Sequence, residues 1–323
     1  MADELTKDVV RMAYRLMLGR EPENEQVVND ALNYGSVSAM RMAFLRSDEF
    51  RTQLEVQRVP ELTPLASPRL KVEWRAEEED AAALLSHVAR TWNRLGAERP
   101  HWSVLSADRF APDSIDRTRD AFFRSGSWDR DVLLAVLRRA GLTPTDYKTV
   151  FEFGCGLARV TPFLAESFSR VLACDVSSTH ISVAKDVLRE SGNSNVTVAL
   201  ATVKDFGMKA SFDLWFSRLV LQHNPPPIMA MVLRRALTLL NPGGIAHFQI
   251  PTYADGYRFQ ISEYMSGLSS AAGIEMHVLP MPAIFEILEA TGCQPLEVWQ
   301  DNSAGDPPAW ISSVITARKR PAR

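Results

Sequence analysis

From Thr149 onward, short apolar runs alternate with helix-patterned stretches, and this alternation constrains the fold of the 323-residue chain more than any other feature. The runs are Thr149–Phe153, Arg170–Asp175, Val196–Ala201, Phe212–Phe216 and Ile245–Ile250. Between the second and third, Ile181, Ala184 and Leu188 recur at helical spacing. Apolar strands separated by helices predict an α/β fold with a parallel sheet covered on both faces. The C-terminal end departs from this pattern. Pro295–Trp299 and Ile311–Ala317 flank the turn-rich Gly305-Asp-Pro-Pro308 and predict an antiparallel pair closing the sheet.

Ahead of the alternation the pattern is helical. Leu5, Val9, Met12, Ala13 and Leu16 predict a helix stopped by Gly19, and Val37, Met40 and Phe44 predict another that runs into Ser47–Phe50. Pro60, Pro64 and Pro68 space out a semi-extended linker. A helix is expected over Glu77–Leu95, with Ala81, Leu84, Leu85, Val88 and Trp92 on one side. Residues 97–127 read as irregular, and a further helix runs from Trp128 to Ala140. The expected organisation is a helical docking module (1–56), a linker (57–73), a helical lid (74–147) and a core (148–323).

Composition narrows the function classes. With 46% apolar and 23% charged residues the chain has an ordinary globular mix. No apolar run approaches the ~20 residues of a membrane span, and Met1–Lys7 lacks a signal pattern, so a cytoplasmic location is expected. A net charge of −3 gives no broad field for nucleic acid. Cys155, Cys174 and Cys293 lack metal or disulfide spacing, no His/Asp/Glu cluster has ligand spacing, and no metal is expected.

The chemistry concentrates at the first strand-to-helix turn, Val150-Phe-Glu-Phe-Gly-Cys-Gly-Leu-Ala-Arg159. Gly154 and Gly156 remove side chains that would block a ligand's approach to the main chain. A dinucleotide site wants a small residue where Arg159 stands; here the third small residue is Ala158. Glu152 is placed for charge-assisted hydrogen bonds to an amino group. Asp175 ends the second strand, where it could accept hydroxyl donors or merely cap the next helix, although Ser177 or Ser178 caps better. Cys155 reads as a small packing residue rather than a nucleophile.

These motifs together resemble those of class I S-adenosylmethionine-dependent methyltransferases, over about Thr149–Lys319. Gly154, Gly156 and Glu152 match the first motif, with Ala158 in place of its third glycine. The resemblance implies a Rossmann-like sheet, mostly parallel with an antiparallel last strand, and S-adenosylmethionine as cofactor. It also implies cofactor contacts from Glu152, Gly154, Cys155, Gly156, Asp175 and Val176, adenine contacts from Thr202 and Val203, and a methionine side lined by Ser217 and Arg218. Two outlying segments carry further resemblances. Tyr14–Pro22 with Phe44–Phe50 resembles a short helical domain of bacterial cell-surface and glycan-related proteins, which implies a protein partner through residues 1–56. Pro100–Leu105 with Phe122–Gly126 resembles a preface of bacterial methyltransferases, some from polysaccharide loci, that folds over the cofactor.

For the acceptor side, His223 follows the fourth strand and is a candidate base, with a structural role equally open. His277 is the second catalytic candidate, while His247, inside a strand, reads as a core residue. Asn224-Pro-Pro-Pro227 lies too far beyond Asp213, and lacks the aromatic, for the amino-methyltransferase motif; Asn224 is expected to cap the following helix and the prolines to start it. The expected activity is O-methylation of a saccharide, glycan or glycan-linked small molecule. The alternatives are methylation of another small molecule at nitrogen or oxygen, and an idle cofactor-fold scaffold.

Overall fold

In the computed structural model, which describes residues 5–50, 69–202, 204–267, 273–301, 303–305 and 310–321, the alternation after Thr149 builds a seven-stranded sheet. The chain divides into two compact units, Met1–Glu61 and Leu62–Arg323.

In the first unit, α1 (Lys7–Leu18), α2 (Glu25–Leu32) and α3 (Val37–Arg46) enclose Val10, Val28, Met40 and Phe44. Thr6, Asn24 and Ser36 each accept a backbone N–H of the first turn, satisfying donors that would otherwise lack partners. Gly19, at φ 61°, ends α1 as its sequence position predicts. The α2 helix was not expected, because eight residues are too few to show a period. Residues 57–68 of the expected linker lie outside the described residues, while Lys71–Val72 (β1) pairs in parallel with Arg258–Phe259 (β7).

The second unit continues with α4 (Glu78–Glu98), α5 (Pro100–Val104), α6 (Ile115–Arg124) and α7 (Gly126–Arg139). The core then runs β2 (Thr149–Phe153), α8 (Thr161–Ser167), β3 (Arg170–Asp175), α9 (Ser178–Glu190), β4 (Val196–Leu200), β5 (Phe212–Ser217), α10 (Pro226–Leu239) and β6 (Leu240–Ala254). After β7 come α11 (Ile261–Gly267), α12 (Met281–Ala290), β8 (Cys293–Asp301) and β9 (Trp310–Lys319). The strand order is β4-β3-β2-β5-β6-β9-β8, and β9 runs antiparallel to both neighbours. The Rossmann-like sheet with an antiparallel last strand is thus present. Residues 97–127, expected to be irregular, instead hold α5, a short 3-10 turn at Asp108–Phe110, and α6.

Alternate side chains of the central strands feed two cores. Phe151, Phe212, Trp215 and Phe248 pack with Ile228 and Leu233 of α10 and Ile284 and Ile287 of α12. Val150, Leu214, Phe216 and Ile245 pack with Leu133 and Leu137 of α7 and Leu164 of α8. The chain leaves β2 toward β3 and β4, and later returns to β5 and β6 on the other side. The crevice at the carboxyl ends of β2 and β5 is therefore the topological switch point, where open α/β sheets bind ligands.

Candidate active site

A cleft enclosing about 900 Å³ of free space, part of it open to solvent, lies at this switch point. Its floor is the turn after β2. The backbone amides of Gly154 and Cys155 both donate to the Cys174 carbonyl, at 2.8 and 2.9 Å, and that of Gly156 donates to Asp175 Oδ2 at 2.9 Å. Gly154 and Gly156 have φ of 79° and 53°, and neither position tolerates a Cβ. One at Gly154 would lie 2.3 Å from the Val220 methyls, and one at Gly156 2.8 Å from Val104 Cγ2. Ala158, in the third-glycine position, takes φ 62° with its methyl fully buried.

The two acids differ in chemistry. Glu152 lines the cleft at 3% exposure, and its Oε2 has no hydrogen-bond partner. Burial raises its pKa to about 7, against the opposing charge of Arg159. Asp175 is held open by backbone donors: its Oδ1 accepts from Ser177 N at 2.8 Å and lies 3.7 Å from His180 Nδ1. Each of its oxygens retains acceptor capacity toward the cleft. Capping of α9 falls to Ser177, whose Oγ accepts from His180 N.

The other expected cofactor residues divide. Cys155, Val176 and Arg218 line the cleft. Burial drives the Cys155 thiol well above its usual range, consistent with packing rather than nucleophilic chemistry. Arg218 pairs with Asp129 at 2.6 Å and lies over the Trp128 ring, while Asp129 also pairs with Arg159. Ser217 does not line the cleft; its hydroxyl is buried and donates to the Phe153 carbonyl at 3.1 Å. Thr202 is exposed and bonds Asp205 at 3.0 Å, so it too stands away from the lining. Val203 lies outside the described residues.

The roof comes from α4, which no motif marks, and from the Pro100–Leu105 segment whose resemblance implied a cover over the cofactor. Leu85, Val88 and Trp92 of α4, with Ser103 and Val104 of α5, close over the turn. They are latched to the start of α9: Asn93 Oδ1 accepts from Ser178 N at 2.9 Å, and Ser103 Oγ meets His180 Nε2 at 2.9 Å. The apolar stripe of α4 was legible in the sequence, but its partner surface was not. Leu219, at φ 59°, also lines the cleft, with its N–H held by Gln249 Oε1 at 3.0 Å.

At the far wall, His223 Nδ1 donates to the Glu275 carbonyl at 2.9 Å. The polarity follows from the carbonyl, which can only accept. His223 Nε2 is therefore the bare nitrogen and accepts from the Gln222 amide at 3.1 Å, while Gln222 Oε1 accepts from Gln249. Burial lowers the His223 pKa to about 4, so the ring is neutral at neutral pH. The second candidate, His277, does not reach the cleft. It is buried between Tyr257, whose hydroxyl bonds its Nδ1 at 3.0 Å, and Glu275, 3.2 Å from its Nε2. His247 is the core residue expected, bonded to Thr316 and stacked on Phe216. Asn224 is not the helix cap: Pro225 holds that position and the prolines start α10, while the Asn224 amide donates to the Val220 carbonyl. Among the described residues no acidic, histidine or cysteine cluster could hold a metal, and no helix is long and apolar enough to cross a membrane.

Residues 150–244, from β2 to the start of β6, match the methyltransferase domain family. The protein carries a methyltransferase domain. Two crystal structures of magnesium protoporphyrin IX methyltransferase from Synechocystis PCC 6803 share the fold. The one with bound S-adenosylhomocysteine has a TM-score of 0.51 at 16% identity, over 73% of this chain and 99% of that one. The one with bound S-adenosylmethionine has a TM-score of 0.50 at 14% identity, over 77% and 100%. The N-methyltransferase NodS from Bradyrhizobium japonicum WM9 is 17% identical over 72% of this chain and 98% of that one, with a TM-score of 0.45. No curated protein sequence matches the chain. The cleft fits S-adenosylmethionine in one respect: the buried Glu152 carboxyl that lines it, with Oε2 unpartnered, can pair with the ammonium of an amino acid joined to a nucleoside.

Proposed function

We propose that the enzyme methylates a hydroxyl of a saccharide, glycan or glycan-linked small molecule. Glu152 would hold the methionine ammonium, Asp175 would accept the ribose hydroxyls, and Val176 would cover adenine. The main chain of Gly154, Cys155 and Gly156 would face the cofactor, and Arg218 would complete the methionine side. The bound cofactor supplies a methyl group on a sulfonium, open to in-line attack. Alignment of the acceptor with that methyl is then the protein's main contribution.

His223 carries the hydroxyl reading. It borders both the cofactor cleft and a second cavity, its tautomer is fixed by Glu275, and it stays neutral down to about pH 4. A hydroxyl entering there competes with the Gln222 amide for Nε2 and can pass its proton to that nitrogen. The net charge of −3 argues against RNA or DNA as acceptor, and the resemblances of the N-terminal module and the lid preface both favour a glycan. In this reading residues 1–56 dock a protein partner, residues 57–73 link, residues 74–147 form the lid over the core from 148 to 323, and the enzyme works in the cytoplasm.

His223→Ala should lower turnover by about 10²–10⁴-fold while S-adenosylhomocysteine still binds. At saturating cofactor, wild-type turnover should hold level from pH 8 to pH 5.5. It should fall only as pH approaches 4, because protonation removes the lone pair below that value. A fully active variant would remove the base from the mechanism.

A further inference from the structure

A chain of hydrogen bonds runs from Leu219 to Glu275, and the main chain sets its direction at both ends. It begins at Leu219, a cleft-lining residue with φ 59°, a left-handed backbone that side chains other than glycine rarely adopt. The Leu219 N–H, which can only donate, meets Gln249 Oε1 at 3.0 Å. The other end of that amide is therefore Nε2, and its two hydrogens go to Ser312 Oγ at 2.7 Å and to Gln222 Oε1 at 3.1 Å. Ser312 agrees with this polarity, because its own hydroxyl proton is given to the Asp301 carboxylate. Gln222 then turns its Nε2 toward His223, 3.1 Å from the ring Nε2, and His223 Nδ1 donates to the Glu275 carbonyl. A backbone donor at one end and a backbone acceptor at the other fix the same sense for every link between them.

The sense of the chain decides the state of His223. With the Gln222 N–H against Nε2, the neutral ring has a partner at each nitrogen. With that amide turned over, Oε1 would face Nε2, and only the imidazolium, a donor at both nitrogens, would be satisfied. The imidazolium has no lone pair with which to take a proton. Turning Gln222 over would set its amide hydrogens against those of Gln249. Gln249 cannot turn in compensation without setting its own hydrogens against the Leu219 N–H. Gln249 and Ser312 are 1% exposed and Gln222 6%, so bulk solvent does not replace a lost partner. Other titratable groups surround the ring: His87 of α4 and Glu275 share the second cavity with it, and His277 opposes its charge. Glu152, Asp175, Arg159, Arg218 and His180 stand around the shared cleft. None of them bonds to Gln249, so a change of its side chain acts on the ring through the amides.

We propose that Gln249 is a positioning residue for His223: acting through Gln222, it keeps the imidazole neutral, with Nε2 an acceptor for the hydroxyl to be methylated. The inference rests on the hydroxyl reading above and adds the residues that hold its base in the working state.

The test is NMR of the free enzyme labelled with ¹⁵N-histidine, in which the signals of His223, one of six histidines, are identified by their loss in His223→Ala. In the wild type the neutral ring should carry its proton on Nδ1 alone, with about 3% imidazolium at pH 5.5. Gln249→Met keeps the side-chain length and removes both hydrogen-bonding ends. The imidazolium at pH 5.5 should then rise at least about fivefold, because a freed Gln222 can offer its oxygen to the protonated ring. His180, in the latch at α9, should keep its signals and so show the variant to be folded. Ser312→Ala leaves the Leu219 anchor in place and should keep the imidazolium fraction within twofold of wild type. An unchanged titration in Gln249→Met, or an equal rise in Ser312→Ala, overturns the role of Gln249. A wild-type ring protonated on Nε2 overturns the chain without recourse to any variant. The His223→Ala turnover assay tests the base itself, so failure of the base and failure of its positioning are told apart.

Discussion

Cofactor binding should expel a proton, and the amount follows from Glu152. In the free enzyme this buried carboxyl has a pKa of about 7 and no partner for Oε2. At pH 6.5 it is therefore about three-quarters protonated. An ammonium group placed against it favours the ionised form and returns its pKa to the ordinary carboxylate range or below. Binding should then release about 0.7 proton at pH 6.5 and almost none at pH 8.5. The sign for affinity is fixed by the same shift. Only the ionised carboxylate pairs with the ammonium, so affinity is full above pH 7 and is lost below it. The apparent Kd should weaken by about 30-fold from pH 8 to pH 5.5. Titration calorimetry with S-adenosylhomocysteine in buffers of different ionisation enthalpy measures the proton count directly. Glu152→Gln should abolish both the release and the pH dependence, and weaken binding at pH 8 by about 1.5–3 kcal/mol. A buffer-independent heat at pH 6.5, or proton uptake, would refute the placement of Glu152 against the cofactor.

Two further substitutions test the frame around that site. Asp175→Ala should weaken S-adenosylhomocysteine binding by about 1.5–3 kcal/mol, measured by the same calorimetry, and NAD should not bind; unchanged affinity would displace Asp175 from the ribose. Gly126→Ala places a Cβ 2.0 Å from the Arg159 carbonyl oxygen. It should cost about 1–3 kcal/mol in a denaturant melt despite the better helix propensity of alanine; a stabilised variant would mean that α7 does not press on the turn as described.

The sheet was legible because its strands are apolar on both faces and helices separate them, a pattern that survives without knowledge of contacts. The α6 helix was not, since Asp116, Arg117, Arg119, Asp120 and Arg124 dominate it and only Phe122 is fully buried. In the site, Glu152, Gly154, Gly156 and Asp175 could be found because a turn and a strand end fix them locally. Ser217 and Thr202 followed from the same motifs, yet strand packing and an Asp205 turn claim their hydroxyls. Trp92 and Leu219 depend on α4 and a strained strand exit meeting in space, which no local spacing encodes, whereas Ser103 lies in the Pro100–Leu105 segment whose resemblance implied a cover over the cofactor. His223 and His277 looked alike in sequence. Only tertiary packing separates them, by placing one at the cleft and the other between two tyrosines and Glu275.

The atom that receives the methyl group decides the account. The wild-type enzyme, incubated with S-adenosylmethionine carrying a ¹³C-labelled methyl and with mono- and polysaccharide acceptors, would be followed by heteronuclear NMR and mass spectrometry. The account predicts a new labelled methyl ether on a sugar oxygen, formed with loss of label from the cofactor and slowed by about 10²–10⁴-fold when His223→Ala replaces the wild type. Label on a nitrogen, or on RNA or protein while every sugar stays unlabelled, would contradict it.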